Sequence, residues 1–516
     1  MKKYLFLLAL IWVVQLSFAQ GELDAYRLSK TDLSGTARGQ AMGGAFGAVG
    51  GDITGVMINP AGVGVYRSSE ITTTMSVPFK TQKTTWNGNV EKDNNTYFRF
   101  NNLSYVAYSP TGGDFLKSVN FAFSYNRLQD FSSEYTASGK GMKTGLADYI
   151  SNLTNGTNSN HMDPSYDPYK SWTIPWISTL AWQGWLIDEV GNKTYAPALL
   201  EANSLVDPLL YIKESGAIHA YDFAVAGNWG HTLYLGATFT LADVDYRKST
   251  FYKERYPEED ASFTLNNYMD TEGVGYQLKL GAIWRPIDAL RMGVSYHSPT
   301  WYSLTDRYYA ELKTIYPDQI HYEYTPDGAT RYKFHTPYSW TFSLAGVIGT
   351  KAIVSFDYEI KDYKSMNLTD YQGVDFHSDN EYIDQDFKLA SVIRAGLEYK
   401  ITPQLAARLG FATMESPYTS NLKNDNVEPA LIGTIPHYLI EGRTNYYTGG
   451  LGYRFTPNIY LDFAFVHRTQ ESDLYYFPSV FYVDNETNEL IKERESTPAS
   501  LKSIINTGLL TFGYKF

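Results

Sequence analysis

Apolar and polar residues alternate along most of this chain with a period of two, the spacing of a strand with one face in each environment. Within 351–363, Val354, Phe356, Tyr358 and Ile360 fall on one side and Ser355, Asp357, Glu359 and Lys361 on the other. Leu405, Ala407, Leu409 and Phe411 oppose Arg408 and Gly410, and Ile459, Leu461, Phe463 and Phe465 oppose Asp462. Fourteen segments read this way: 70–78, 102–109, 119–128, 218–229, 231–245, 274–284, 290–301, 338–348, 351–363, 388–400, 405–416, 445–455, 459–469 and 503–516.

Their connections alternate between short and long. Pro110–Ser118, Gly230, Arg285–Ala289, Gly349-Thr350, Ile401–Gln404 and Thr456–Asn458 are tight and rich in Gly, Pro, Asn and Asp. The others run over 79–101, 129–217, 246–273, 302–337, 364–387, 417–444 and 470–502. With an even strand number, both chain ends then lie on the short-turn side, as in an outer-membrane barrel with periplasmic turns and long outer loops. No fixed-period repeat is visible, which disfavours a propeller. The predicted fold is all-β, a 14-stranded antiparallel transmembrane β-barrel.

The stretch 129–217 is too long for a simple connector. Leu146–Leu153 predicts a short amphipathic helix, and Trp172, Trp176, Trp182 and Trp185 accompany Ile174, Ile177 and Leu180. This aromatic group is a candidate capture site for an apolar ligand, or the loop's own small core.

The chain begins with Lys2 and Lys3, an apolar run from Tyr4 to Phe18 and Ser17-Phe18-Ala19 before Gln20, the layout of a secretory signal over residues 1–19. No later run of eighteen apolar residues predicts a helical span. The chain ends on Phe512, Tyr514 and Phe516 with Leu510 on one stripe, a barrel-closing strand whose terminal aromatic suits recognition by the outer-membrane barrel assembly machinery. A mean hydropathy of -0.32 conceals the membrane character, because a barrel shows lipid only every second residue.

Composition sharpens this picture. The 44 Tyr, 27 Phe and 10 Trp suit aromatic girdles at the two membrane interfaces. Zero Cys removes disulfides and thiolate ligands, and a net charge of -12 argues against nucleic acid as a partner. No His-Glu-x-x-His, phosphate-binding loop or nucleophile elbow is present, so neither an enzyme nor a cofactor is expected. His161, Asp163 and Asp167, and the acidic run 484–489, are read as solvated loops, with no metal expected.

Behind the leader, Ala37-Arg38-Gly39-Gln40-Ala41-Met42-Gly43-Gly44-Ala45-Phe46 is followed by Asn59-Pro60-Ala61-Gly62. This pairing, within residues 34–70, resembles the start of the FadL/TodX family of outer-membrane transport proteins. The resemblance implies a monomeric barrel with an N-terminal hatch in the lumen, here 20–69 followed by a barrel of 70–516. It also implies passive uptake of hydrophobic small molecules, long-chain fatty acids or aromatic hydrocarbons, through the cell outer membrane. Arg38, Gly43, Gly44, Asn59, Pro60, Ala61 and Gly62 are then the hatch motif. The family's inward strand kink would fall in the third strand, 119–128, where the residues show no bulge signal. PorV-type barrels of the same family, which serve protein secretion and surface attachment, are the alternative reading, and haem or another aromatic ligand a third.

The assigned faces send Lys279, Arg291, Asp357, Glu359, Arg394, Glu398, Arg408 and Asp462 into the lumen. Mixed charges there are expected to brace the wall and the plug. Arg394 and Arg408, near Glu398 and Asp357, are also candidates for pairing a carboxylate ligand, since guanidinium suits bidentate recognition.

Overall fold

The structure is a computed structural model that describes residues 21–171, 173–199, 204–430, 433–483 and 490–516. The expected leader, Trp172 and the acidic run 484–489 lie outside the described residues. Fourteen strands form the ring. They are β1 (Glu70–Trp86), β2 (Arg99–Pro110), β3 (Leu116–Asp130), β4 (Asp207–Trp229), β5 (Leu233–Tyr256), β6 (Ala261–Ile287) and β7 (Leu290–His297). They continue with β8 (Ser339–Ile348), β9 (Ala352–Asp362), β10 (Leu389–Lys400), β11 (Leu405–Met414), β12 (Tyr438–Arg454), β13 (Ile459–Tyr475) and β14 (Ala499–Lys515). Each pairs antiparallel with its chain neighbours, and β14 returns to β1 from Glu70↔Lys515 to Thr85↔Ser500. Closure matters because hydrocarbon offers no partner to an unpaired strand edge.

The alternation decides which way each residue points. Val354, Phe356, Leu451, Phe463, Leu510 and Phe512 are exposed on the outer face, each roughly half accessible, while Ser355, Asp357, Asp462 and Thr511 are buried inside. A large apolar outer face is tolerable only against lipid.

Above the ring the strands extend further than the alternation indicates. The stretch 246–273, read as a loop, is the continuation of β5 and β6, joined only by 257–260. The stretch 302–337 is likewise strand, with Trp301–Ile315 paired to the upper half of β6 and followed by Ile320–Tyr324 and Gly328–His335. These extensions stand clear of lipid, so neither face must be apolar and the period-two hydropathy signal fades. Within 79–101 a hairpin joins β1 to Asn89–Thr96 through Asn87-Gly88, both at positive φ, the Asn-Gly turn that matches strand twist.

Helix α4 (Leu146–Thr154) falls where expected and joins α5 (Trp176–Gln183) in a core at the loop end. Leu146, Ile150, Ile177 and Leu180 pack there with Tyr252, Tyr256, Phe263 and Leu312. The Leu146 N–H donates to Glu254 Oε2 (2.7 Å), and Tyr256 donates to Glu254 Oε1 (2.7 Å), so the barrel rim caps the helix it carries.

The third strand is not continuous. Its pairing with β2 stops at Asn102↔Asn126, its register against β4 shifts between Arg127 and Gln129, and the strand breaks after Asp130. Beyond the break, side chains stand in for the ladder: Lys80 Nζ donates to Ser132 O (3.0 Å), Thr84 Oγ1 to Thr136 O (2.6 Å) and Asn95 Nδ2 to Glu134 O (3.4 Å).

Phe463 sits five residues above the turn that ends at Asn458, near mid-membrane. Phe463→Lys is expected to destabilise the barrel by about 2–4 kcal/mol, whereas Asp462→Asn, facing inward, leaves lipid contact unchanged. Urea unfolding in vesicles, followed by Trp fluorescence, measures the difference.

Candidate functional site

Residues 21–66 occupy the lumen. Helix α1 (Glu22–Ser29) lies at the loop end, where Tyr26 packs among the rings of Tyr363, Phe387 and Tyr418 at centroid distances of 5.1–5.9 Å. The chain then descends through α2 (Ala37–Ala41) and α3 (Gly55–Ile58) to a 3-10 turn at Pro60–Val65, and enters β1 from the short-turn rim.

This segment has little regular structure, so wall side chains take up its backbone groups. Ala37 N donates to Thr511 Oγ1 (2.7 Å), Gly43 N to Thr448 Oγ1 (3.1 Å) and Gly47 N to Asp357 Oδ2 (2.9 Å). Asn120 Nδ2 donates to Val63 O (2.8 Å) and Ser295 Oγ to Ile58 O (2.7 Å). Thr36 caps α2 by accepting from Gly39 N (3.0 Å) and donates to Asp52 Oδ1 (2.9 Å).

The motif residues have separate places. Asn59 Oδ1 accepts from Ala61 N (3.1 Å), and its Nδ2 donates to Gly47 O (2.7 Å) and to Ala282 O in β6 (3.1 Å). Pro60 opens the 3-10 turn, Ala61 is fully buried against Tyr234 and Ile283, and Gly62 O accepts from Gly51 N (3.1 Å). Gly43 has φ +64°, and a Cβ there would sit 2.7 Å from Phe411 O; a Cβ on Gly410 in the same strand would sit 2.1 Å from Gly43 N. Segment and wall thus meet backbone to backbone. Gly44 (φ +75°) lies beside Leu33 and Arg394.

Arg38 makes a bidentate ion pair with Glu398, Nε to Oε2 at 2.8 Å and Nη2 to Oε1 at 3.1 Å. Glu398 also accepts from Arg408 Nε (2.7 Å), and Arg408 Nη1 donates to Asp462 Oδ1 (2.6 Å). Arg394 is ion-paired to Glu359. The lumenal charges therefore come together as a bracing chain anchored on the segment at Arg38. Arg408 in particular has carboxylates on two sides already, so it is not free for a ligand.

The three described tryptophans of the loop, Trp176, Trp182 and Trp185, do not converge. Trp176 packs on Tyr169 and Tyr308, Trp182 on Tyr195, and Trp185, half exposed at φ +58°, on His321. The reason is helical geometry: Ile177 and Leu180 take the buried face of α5 and leave Trp176 and Trp182 on its flanks. Phe512, Tyr514 and Phe516 line the outer face, and Phe516 N donates to Ser69 O (3.0 Å).

Two lumenal cavities flank the segment. One, about 120 Å³, lies between Leu28–Ser34 and the wall near Lys279, His297 and Lys361. The other, about 160 Å³, lies beside the β3 break, with Leu23, Phe131, Ile212 and Leu501 among its apolar lining. Lys80 and Lys248 face this second cavity, and neither makes an ion pair among the described residues. Sequence reasoning missed both, because alternation tells which side chains face the lumen but not how far residues 23–34 stand from the wall.

Residues 254–474 match the family described as outer membrane protein transport protein (OMPP1/FadL/TodX). The match covers the wall from the upper part of β5 to the end of β13. Its fold is similar to a Pseudomonas aeruginosa FadL homologue, at 12% identity and a TM-score of 0.51 over 94% of this chain and 99% of that one. It is also similar to the P. putida toluene transporter TodX, at 15% identity and a TM-score of 0.50 over the same shares. No curated protein matches the chain in sequence. The likeness to these structures is one of fold, a closed antiparallel barrel with a segment in its lumen.

Two predictions follow the geometry of the lumenal segment. Arg38→Ala leaves a buried Glu398 with one partner fewer and weakens seating by about 3 kcal/mol; vesicle swelling with small sugars is expected to speed up, with Arg38→Lys intermediate. The second concerns α1. Burial, reinforced by Asp386 nearby, holds the Glu22 carboxyl well above the usual range. Burial likewise raises Asp386 to about 6 and Asp379 to about 7. Groups raised in the docked state favour docking when protonated, so the contribution is full below about pH 4 and is lost as pH rises through 6–7. Hydrogen exchange at residues 22–29, corrected for intrinsic rates, is expected to show more protection at pH 5 than at pH 8.

Proposed function

We propose that this barrel is a passive channel for hydrophobic small molecules, with residues 20–69 as a movable hatch, and that its cargo is of the long-chain fatty acid class. The observation that carries this reading is the cavity beside the β3 break. Its lining joins Leu23, Phe131, Ile212 and Leu501 to charged groups that pair among themselves, Arg27 with Glu214, Lys30 with Glu441, Arg99 with Asp130 and Arg468 with Asp32. That pairing leaves Lys80, bonded to Ser132 O, and Lys248 without an ion pair among the described residues. An alkyl chain with a carboxylate head suits that combination better than an uncharged aromatic hydrocarbon, which would leave both cations unused. The adjoining wall is held by side chains rather than by a ladder, which makes it the place where the least backbone bonding opposes a lateral exit.

No nucleotide or cofactor enters this mechanism. Outer loops capture the molecule, the lumen passes it beside α1, and a shift of the hatch lets it leave down its gradient. Assembly by the barrel machinery, reading the terminal stripe to Phe516, belongs to the same proposal.

The shuttle reading has one observation of its own. The strand Ile320–Tyr324 pairs only with Trp301–Ile315 and exposes Ile320, Tyr322 and Tyr324 well above the membrane, a surface fit for a protein partner.

The test is uptake of a labelled long-chain fatty acid and of toluene into cells carrying the barrel. The Lys80→Gln, Lys248→Gln double variant is expected to lose roughly tenfold in fatty acid uptake, the scale of one charge-assisted contact, while toluene entry is unchanged. Absence of fatty acid uptake by the wild-type barrel, together with secreted proteins retained on it in mild detergent, would favour the shuttle instead.

A further inference from the structure

A large apolar concavity faces outward. It is a groove of about 780 Å³ on the outer wall, within the roughly 300–1,000 Å³ of small-molecule sites. It forms where β7 stops at His297 and the wall resumes at Trp301, with Pro299 between them, and where the adjacent strand breaks between His335 and Ser339 around Pro337. Its floor is Leu241, Val274, Tyr276 and Trp301, all on the lipid-facing stripe.

Its height is readable from the strand. Tyr276 stands eleven residues above the end of β6 at Ile287, which at about 3.3 Å per residue and a tilt near 40° is about 25–30 Å. That is the outer edge of the hydrocarbon band. The paired rings Tyr276–Trp301 (5.3 Å) and Tyr296–Trp340 (4.8 Å) mark the aromatic girdle there. The groove therefore opens toward lipid tails below and headgroups above.

Two donors stand at that upper edge, two residues apart on one strand. Lys333 is exposed and has no ion pair among the described residues. His335 lines the groove opposite Trp301, and its Nδ1 is buried without a hydrogen-bond partner. Asp243, the one carboxylate in the lining, belongs to β5, with β6 and Trp301–Ile315 between it and the Lys333 strand.

We propose that this groove seats an acyl chain of a phosphate-bearing outer-leaflet lipid, its phosphate held by Lys333 and His335. The chain's methylenes would cover rings that otherwise border an irregular notch, and the phosphate would give the orphan imidazole nitrogen an acceptor. Cargo in the lumen plays no part in this site.

The test is native mass spectrometry of the full barrel reconstituted with diphosphoryl lipid A or with a diacylglyceryl glucoside that lacks phosphate. The wild-type barrel is expected to retain one lipid A under activation that strips the glucoside. Lys333→Glu is expected to lower the retained fraction about tenfold and His335→Ala a few-fold, with Lys333→Arg close to wild type. Heat-modifiable gel mobility checks that each variant is folded. Equal retention of the two lipids, retention unchanged in Lys333→Glu, or a dimer mass in place of a lipid adduct would each overturn the proposal.

Discussion

Every part of this molecule answers to the pairing of β1 with β14. A strand inside hydrocarbon has no water for its N–H and C=O groups, so the sheet has to close, and closure creates an interior too wide for side chains alone to fill. The sixteen register pairs from Glu70↔Lys515 to Thr85↔Ser500 settle the outer problem and pose the inner one. Residues 21–66 answer it. The same constraint explains why the gap beside β3 begins high on the wall, above Asn102↔Asn126, and why Lys80, Thr84 and Asn95 donate to the carbonyls left bare there.

The interior that results is a hydrogen-bonded one rather than an oily core. Thr511, Thr448, Asp357, Asn120 and Ser295 face inward because the segment between α2 and the Pro60 turn presents backbone groups that no helix or sheet absorbs. Backbone contact as close as Gly43 on Gly410 needs bare Cα atoms on both sides. Such a seat differs from an apolar core in one respect that bears on transport. Water can replace each of these bonds, so displacing the segment costs much less than exposing an equal area of packed leucine.

How much of this was legible follows from where hydrocarbon imposes a pattern. In β9, Val354, Phe356 and Tyr358 against Ser355, Asp357 and Glu359 declare strand, face and lumen at once, and the structure places all six accordingly. Beyond the membrane that pressure ceases, and the extensions of β5 and β6 to Tyr256 and Ala261 were read as loop although they are strand. Asn87-Gly88 was a legible signal passed over; the bulge near Leu128 carries none, since nothing in Arg127-Leu128-Gln129 departs from ordinary strand composition. Partners across the lumen were the least legible feature. The inward direction of Glu398, Arg408 and Asp462 follows from alternation, but that Arg38 completes the row depends on how deep the segment hangs.

That row separates two kinds of lumenal cation. Arg38, Arg394 and Arg408 each have a carboxylate within reach, and guanidinium's planar fork suits a fixed brace. Lys80 and Lys248 sit against a cavity whose carboxylates, Asp32, Asp130, Glu214 and Glu441, are already paired with Arg468, Arg99, Arg27 and Lys30, and a flexible ammonium suits a ligand that comes and goes. Beside the β3 break the lining also holds Arg27, Lys30, Arg99 and Arg468, each ion-paired, so the two lysines are the exceptions within one cavity. Were every lumenal cation for cargo, Arg38 and Arg408 would not converge on a single Glu398. The segment is thus braced at both levels, by Arg38 on Glu398 below and by Arg27 on Glu214 and Lys30 on Glu441 above, and the proposed cargo site falls to the two lysines that this bracing leaves over.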